Sequence, residues 1–456
     1  MHDTALLLKE RTSRIRAAIR LQEHDKVPVV GNLGFWPVKY QNKYTMQEAF
    51  YDIDVMGESY EYALQRWNQW DALTTSVTSR APLLDAMGST RYIIPGREIS
   101  PDSDYQHPDQ SFMEAGEYDE LIKDPVRFQA NVILPRVCKR IAKDDLYETI
   151  KAIAKVIVFS RELQEKSRRY WSGWAERYAV SPLMCSVFLV PVDAIIDHYR
   201  GFNQGLIDIK LRPEKLIEAS EALMDNLLNS AVAGIPQGLD YPVLYNPQHV
   251  SPFISPKDYE KVYWPFYKRM VDVFTERGHT VWTVFEGAQD QHLEKLQELP
   301  PGKCVAHFEK TDLENAKRYL GGRICIAGGM PTSILAKGSP QDVEEQVAKV
   351  MKLFADEPGF IMCADGGLNA AKPENIDAWF KAMDKYGQLG GKLELLPPVE
   401  IKQDESMAGI KQKLITPWDA VRDDFGDIKG DEQIIKQYWE QLEVEALGLV
   451  NIILQA

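Results

Sequence analysis

The sequence predicts an α/β fold built of repeated β/α units, and three observations predict it. Four short apolar runs follow one another in the second half: "HTVWTVFE" (279–286), "KCVAHF" (303–308), "RICIAGG" (323–329) and "GFIMCADGG" (359–367). Helical patterns separate them ("DQHLEKLQEL", "DLENAKRYL", "SPQDVEEQVAKVMKLFADE"), and strands alternating with single helices pair in parallel, because parallel strands need a crossover. The runs are apolar throughout rather than alternating, so both faces of each strand are covered. With 456 residues there is room for two or three average domains, or for one large α/β barrel with additions.

The first 160 residues or so read as helices broken by loops. "ALLLKERTSRIRAAIRLQ" is helical, "DKVPVVGNLGF" is a strand running into a loop, and "TMQEAFYDIDVMGESYEYALQRWNQWDAL" returns to helical spacing. Residues 88–121 form a long polar stretch with interleaved aromatics, and structureless loops of that length are usually functional. Residues 141–179 are helical. "VSPLMCSVFLV" is strand or loop, helices follow at about 193–206 and 214–233, and "YPVLYNPQHVSPFIS" reads as a long aromatic loop. Ser255–Pro256 then opens a helix, with the serine as cap and proline in the first turn. From residue 391 the character changes to a loop or edge segment and a long terminal helix. We read 391–456 as an extension of a barrel occupying 1–390.

Composition narrows the function. A formal charge of −14 disfavours nucleic acid and anionic membranes as partners. The one conspicuous basic stretch, "KERTSRIRAAIR" (9–20), is expected to be an amphipathic helix with a solvated basic face. Five cysteines with no CxxC pair fit a reducing compartment. No apolar segment is long enough to span a bilayer, and the start of the chain is a poor signal peptide, so a cytoplasmic location is expected.

Chemistry gathers at the ends of the apolar runs. On one parallel barrel, the residues just past each strand share the C-terminal face, where barrel enzymes keep their active sites. Glu286, His307 and Cys363 end three different runs, with Asp365 just beyond the cysteine. Carboxylate, imidazole and thiolate are zinc ligands, and three of them with one open position make a catalytic zinc site. Each also has a plainer reading: a glutamate paired with a basic side chain, a satisfied core histidine, a small core filler. The paired glycines of "CIAGGMP" would let a ligand approach the backbone. His107 lies in the long loop and could reach over the barrel mouth, while His198, His279 and His292 read as surface groups. Trp36, Tyr245, Phe253 and Trp282 fall near strand ends or loops, as core, lid or substrate wall. No dinucleotide fingerprint, P-loop, GxSxG elbow or HExxH motif is present.

Several stretches resemble uroporphyrinogen decarboxylase-like proteins over roughly residues 10–390. They are "RTSRIRAAIRLQEHDKVPVV", "SPKDYEKVYWPFYKRMVDVF", "GGMPTSIL", "SPQDVEEQVAKVM" and, most recognisably, the helix start "KPENIDAWF". The resemblance implies a (β/α)8 TIM barrel. It also implies one of two activities, a decarboxylase or a zinc- and corrinoid-dependent methyltransferase. The arginine-rich motif of the decarboxylases is absent from "GNLGFWPVKYQNK" (31–43). Where the thiol-methylating branch has His-x-Cys-Gly, this chain has Val284-Phe285-Glu286-Gly287. Glu286 followed after twenty intervening residues by His307 resembles the aryl-ether branch, the first methyltransferases of anaerobic O-demethylase systems of the veratrol or vanillate type. That branch implies a further upstream glutamate, where Val271 stands here.

The function expected from this resemblance is transfer of a methyl group from an aryl methyl ether to the Co(I) corrinoid of a partner protein. Zinc would be held by Glu286 and His307, with Cys363 as third ligand and Asp365 as fallback. The chemistry agrees, since ether cleavage needs an electrophile on the oxygen so that a phenolate can leave. A methylcobamide:thiol methyltransferase and a metal-free carboxy-lyase are the alternatives. The particular ether, the corrinoid partner and formation of a homodimer are left open by the sequence.

Overall fold

The computed structural model describes residues 3–74, 79–141, 145–235, 239–402, 410 and 413–455. Eight strands run in chain order: β1 (Val29–Gly31), β2 (Ala72–Leu73), β3 (Met184–Val187), β4 (Val243–Gln248), β5 (Thr280–Phe285), β6 (Cys304–Phe308), β7 (Cys325–Met330) and β8 (Phe360–Ala364). They are parallel, in the order β2-β1-β8-β7-β6-β5-β4-β3. The ring closes between β2 and the residues before β3. There Leu73 N–H donates to Ser181 O (3.1 Å) and Leu183 N–H donates to Leu73 O (2.8 Å). The chain is therefore a (β/α)8 barrel.

Two of these strands depart from the sequence reading. β4 forms inside the segment expected to be an aromatic loop, because Pro242 and Pro247 mask an otherwise apolar run. β2 has only two residues, too few for any periodicity, and it sits at the end of a stretch read as helical.

Two apolar layers hold the barrel. Inside it pack Val30, Ala72, Val243, Trp282, Val305, Ile361 and Cys363, plugged from below by Ile15, Ala18 and Ile19 of the helix Thr4–Ile19. A larger cluster fills the space between strands and outer helices. The segment after residue 391 crosses the N-terminal end of the barrel, where Leu396 N–H donates to Ser13 Oγ (3.0 Å) and Val399 N–H to Asp240 O (2.7 Å). The helix Glu432–Gln455 closes the chain. Among the described residues no helix is long and apolar enough to cross a membrane.

The first helix corrects another expectation. Its arginines are buried rather than solvated. Arg11 donates to the carbonyls of Asn68, Tyr178 and Ala179. Arg14 donates to both oxygens of Asp25 (2.7 and 2.8 Å) and to Asp71 (2.6 Å), while Asp71 accepts from the backbone of Val29 (2.9 Å). A guanidinium carries five donors in a fixed fork, so Arg11 and Arg14 can be buried where carboxylates and carbonyls accept from them.

Burial would raise the Asp25 carboxyl, but the bonds from Arg14 outweigh it and hold its pKa below the ordinary value. A carboxyl depressed in this way adds stability above its unfolded pKa, and loses it as pH falls through the folded one. Arg14→Met removes the partner of the buried Asp71 and is expected to cost roughly 3–5 kcal/mol in urea unfolding at neutral pH. The gap between wild type and variant is expected to narrow as the buffer is taken below pH ~4, the ordinary carboxylate pKa.

Candidate active site

A cavity of about 470 Å³ opens at the C-terminal end of the barrel. Alternation along the strands explains its floor. Val284 and His307 are register partners on β5 and β6, and both line the cavity. Tyr245 of β4 joins them, and the half-buried Cys185 lies on β3. The far wall is aromatic and comes from distant sequence. Phe50 stacks on Tyr105 (centroids 5.2 Å, planes 11° apart), Phe35 meets Phe50 at 5.9 Å, and Tyr92 meets Tyr105 edge-on at 5.8 Å. Tyr92 and Tyr105 belong to the long stretch 88–121, which thereby builds part of the site.

His307 is buried at the centre of the barrel. Its Nε2 lies 2.9 Å from Ala364 O and 3.3 Å from Cys363 Sγ, and Trp282 Nε1–H donates to its Nδ1 at 3.3 Å. Desolvation pulls the imidazole pKa down to about 4 against the bond to Ala364, so the ring is neutral at physiological pH. A neutral ring protonated on Nε2 satisfies both of these contacts. Desolvation also lifts the Cys363 thiol well above its usual value.

Glu286 continues the inward side of β5 two residues past Val284, at the mouth rather than on the floor. Its side chain is 45% exposed, and Oε1 lies 3.3 Å from His249 Nε2. His249 Nδ1 is 2.6 Å from Asp197 Oδ2, so a carboxylate–imidazole–carboxylate chain links the helical turn Ile196–Arg200 to the ends of β4 and β5. Burial would lower the His249 pKa, but hydrogen bonds to Asp197 and Glu286 and the charges of Asp197 and Asp193 push it up to about 11. His107 lies within electrostatic range of Asp197 and His249 and packs edge-on against Tyr92 at 5.1 Å.

The other expected residues are placed as follows. Asp365 accepts the backbone N–H of Thr332 (2.8 Å), and its charge acts on both His307 and Cys363. Trp36 is 2% exposed, donates to Ala371 O, packs on Tyr40 and Trp67, and does not line the cavity. Phe253 is 63% exposed against Phe202. Trp282 lies inside the barrel and acts on the site through His307. His279 and His292, expected on the surface, are buried; His292 Nε2 is 3.0 Å from Ser251 O. The glycines ending β7 serve packing. A Cβ on Gly328 would meet Phe308 O at 2.9 Å, and one on Gly329 would meet Val350 at 3.0 Å.

His307 Nε2 and Cys363 Sγ fit one edge of a metal site. Their 3.3 Å separation is close to the edge of roughly 3.6 Å that ordinary Zn–N and Zn–S bonds span in a tetrahedron. Among the described residues no group of three or more His, Cys, Asp or Glu is gathered tightly enough to hold an ion, because Glu286 faces His249 instead. Sequence reasoning missed His249, Asp197, Arg80 and the aromatic wall. His249 follows an apolar strand directly, as Glu286 does, and was hidden by the prolines of β4.

Comparisons with known proteins agree with this architecture. Residues 191–386 match the uroporphyrinogen decarboxylase (URO-D) family model. A uroporphyrinogen decarboxylase from Idiomarina loihiensis is 23% identical over 60% of this chain and 72% of its own length. One from Pseudoalteromonas atlantica is 26% identical over 41% of this chain, and the match spans about half (54%) of that relative. A solved methyltransferase from Methanosarcina mazei superposes with a TM-score of 0.52 at 15% identity, over 82% of this chain and 98% of its own. The chain is thus a (β/α)8 barrel similar in sequence, through its second half, to the uroporphyrinogen decarboxylase family.

Proposed function

We propose that this chain is a methyltransferase that moves a methyl group from an aryl methyl ether to the Co(I) corrinoid of a partner protein. The observation that carries this reading is the cavity, in which an aromatic wall of Phe35, Phe50 and Tyr105 faces a buried neutral imidazole. A methoxybenzene offers mostly flat faces to bind, and stacked or edge-on rings are the surface that suits it. The barrel and the methyltransferase with a similar fold are consistent with this assignment.

Zinc bound at His307 and Cys363, with Glu286 or Asp365 as the carboxylate, would supply an electrophile for the ether oxygen. The remaining work belongs to the protein. Without metal, Trp282 and Ala364 O hold the His307 ring, and zinc on Nε2 would take the place of the bond to Ala364. The aromatic wall and Tyr245 hold the arene and exclude water. His249 holds Glu286 at the mouth, and His107 sits beside this group. In the proposed reaction the O–CH3 bond would break with its electron pair left on oxygen as phenolate, and the electron pair of the partner's Co(I) would take the methyl carbon. The open mouth is the side from which a corrinoid carried by another protein would approach.

The relatives named uroporphyrinogen decarboxylase favour a second reading, a carboxy-lyase acting in the same cavity. One assay separates the two. The protein, reduced corrinoid protein and a panel of methoxyarenes are mixed while the cobalt spectrum is followed. Methylcobalt and free phenol are expected together, and only with both proteins present. Glu286→Gln and His307→Asn are each expected to lower the rate by about 10²–10³-fold with the fold intact. Carbon dioxide released from an aromatic acid, or methylation of a thiol with every ether ignored, would overturn the assignment.

Cys185 reports on the cavity independently. It is half-buried in the wall, its thiol pushed up to about 11 by burial, whereas the other four cysteines are buried. A small thiol reagent is expected to label Cys185 slowly but ahead of the rest. A saturating methoxyarene is expected to slow that labelling several-fold, as read by peptide mapping; labelling unchanged by every arene tested would count against arene binding here.

A further inference from the structure

Among the described residues the cavity wall carries one cation, and no carboxylate beside it answers that charge. Arg80 follows β2 at the start of the helix Ala81–Met87 and lines the cavity half-buried. Among the described residues its guanidinium makes no hydrogen bond or ion pair, whereas Arg11, Arg14 and Arg200 donate to carbonyls or carboxylates. Among the described residues no aspartate or glutamate lines the cavity. The neighbouring Tyr105 hydroxyl, raised by burial, is drawn partly back by the Arg80 charge, which places that charge beside the aromatic wall. Asn369, on the same cavity, has a buried side-chain oxygen with no hydrogen-bond donor among the described residues.

A partly desolvated guanidinium without a counter-charge is costly in a protein with a formal charge of −14, where carboxylates are abundant elsewhere. Arginine is the side chain best shaped to take a carboxylate through two parallel hydrogen bonds. Position adds to this. In the ring of eight strands, β2 lies four places from β6 in either direction, so Arg80 and His307 come from opposite sides of the barrel. A ligand held between them would carry an anionic group at one end and the reacting group at the other. At about 470 Å³ the cavity is within the usual range for a small-molecule site.

We infer that Arg80 is the specificity residue of this cavity and selects an aromatic ligand bearing a carboxylate, so that the substrate is an acidic methoxyarene rather than a neutral one. The identity of the reacting group rests on the methyl-transfer reading above; the recognition of the anion does not.

The test is calorimetric binding to the purified full chain, without corrinoid protein, using methoxybenzoate, methoxybenzamide and benzoate. The wild type is expected to bind methoxybenzoate at least about tenfold more tightly than the isosteric amide, which lacks the charge. Arg80→Gln is expected to weaken methoxybenzoate about 10- to 100-fold and to leave the amide within about twofold. Retained amide binding shows that the variant is folded and its cavity intact. Arg80→Lys is expected to recover part of the loss, since it restores charge without the planar fork. If the wild type binds the amide as tightly as the acid, or Arg80→Gln keeps the preference, the inference is overturned. Benzoate bound in an Arg80-dependent way, with no ether ever demethylated, would uphold the anion site while the methyl-transfer reading fails. Turnover of neutral methoxyarenes alone would do the reverse.

Discussion

The two shortest strands of the barrel are held by one side chain. β1 and β2 have three and two residues, too few for their own ladder to fix them, yet the ring closes through them. Asp71 supplies what the ladder lacks. Its backbone N–H donates to Val29 O (2.8 Å), one carboxylate oxygen accepts the Val29 N–H, and the other accepts Arg14. Arg14 in turn grips Asp25 and fixes the helix whose apolar end plugs the barrel. A buried carboxylate is tolerable only with such a partner, so seam, plug and charge pair are interdependent.

The cavity depends on that seam. Phe35 follows β1, Arg80 follows β2, and the stretch bearing Tyr92 and Tyr105 comes after both. The opposite side, from β4 to β8, carries His307, Cys363 and Glu286 on longer and better paired strands. One half is thus a platform of longer, more fully paired strands and the other a wall attached to short ones. Within the platform, environment divides the titratable groups. His307 is kept neutral by burial among apolar neighbours, whereas His249 is charged because two carboxylates flank it. The same side-chain type therefore serves as a neutral donor on the floor and as a cation at the mouth.

Much of this was legible in the sequence where physical signals were strong. Strands β5 to β8 announced themselves as continuous apolar runs, and the strand-end rule picked out Glu286, His307 and Cys363 on one face. It did not show that Glu286 would face His249 rather than His307, because that depends on a side chain from a strand disguised by prolines. The basic helix was misread because a run of arginines looks solvated unless its carboxylate partners, eleven and fifty-seven residues away from Arg14, are known. The aromatic wall was invisible for a related reason. Phe35, Phe50, Tyr92 and Tyr105 share no period or motif, and only the closed barrel brings them together.

The proposed methyl transfer requires a metal on the floor of this cavity, facing the aromatic wall. A zinc-edge anomalous difference map from crystals of the zinc-loaded protein tests it most directly. The account predicts one strong peak between the His307 ring nitrogen and Cys363 Sγ, open to the cavity, with a carboxylate from Glu286 or Asp365 brought onto it. A map with no peak there, or with the metal held only between Glu286 and His249 at the mouth, would contradict it.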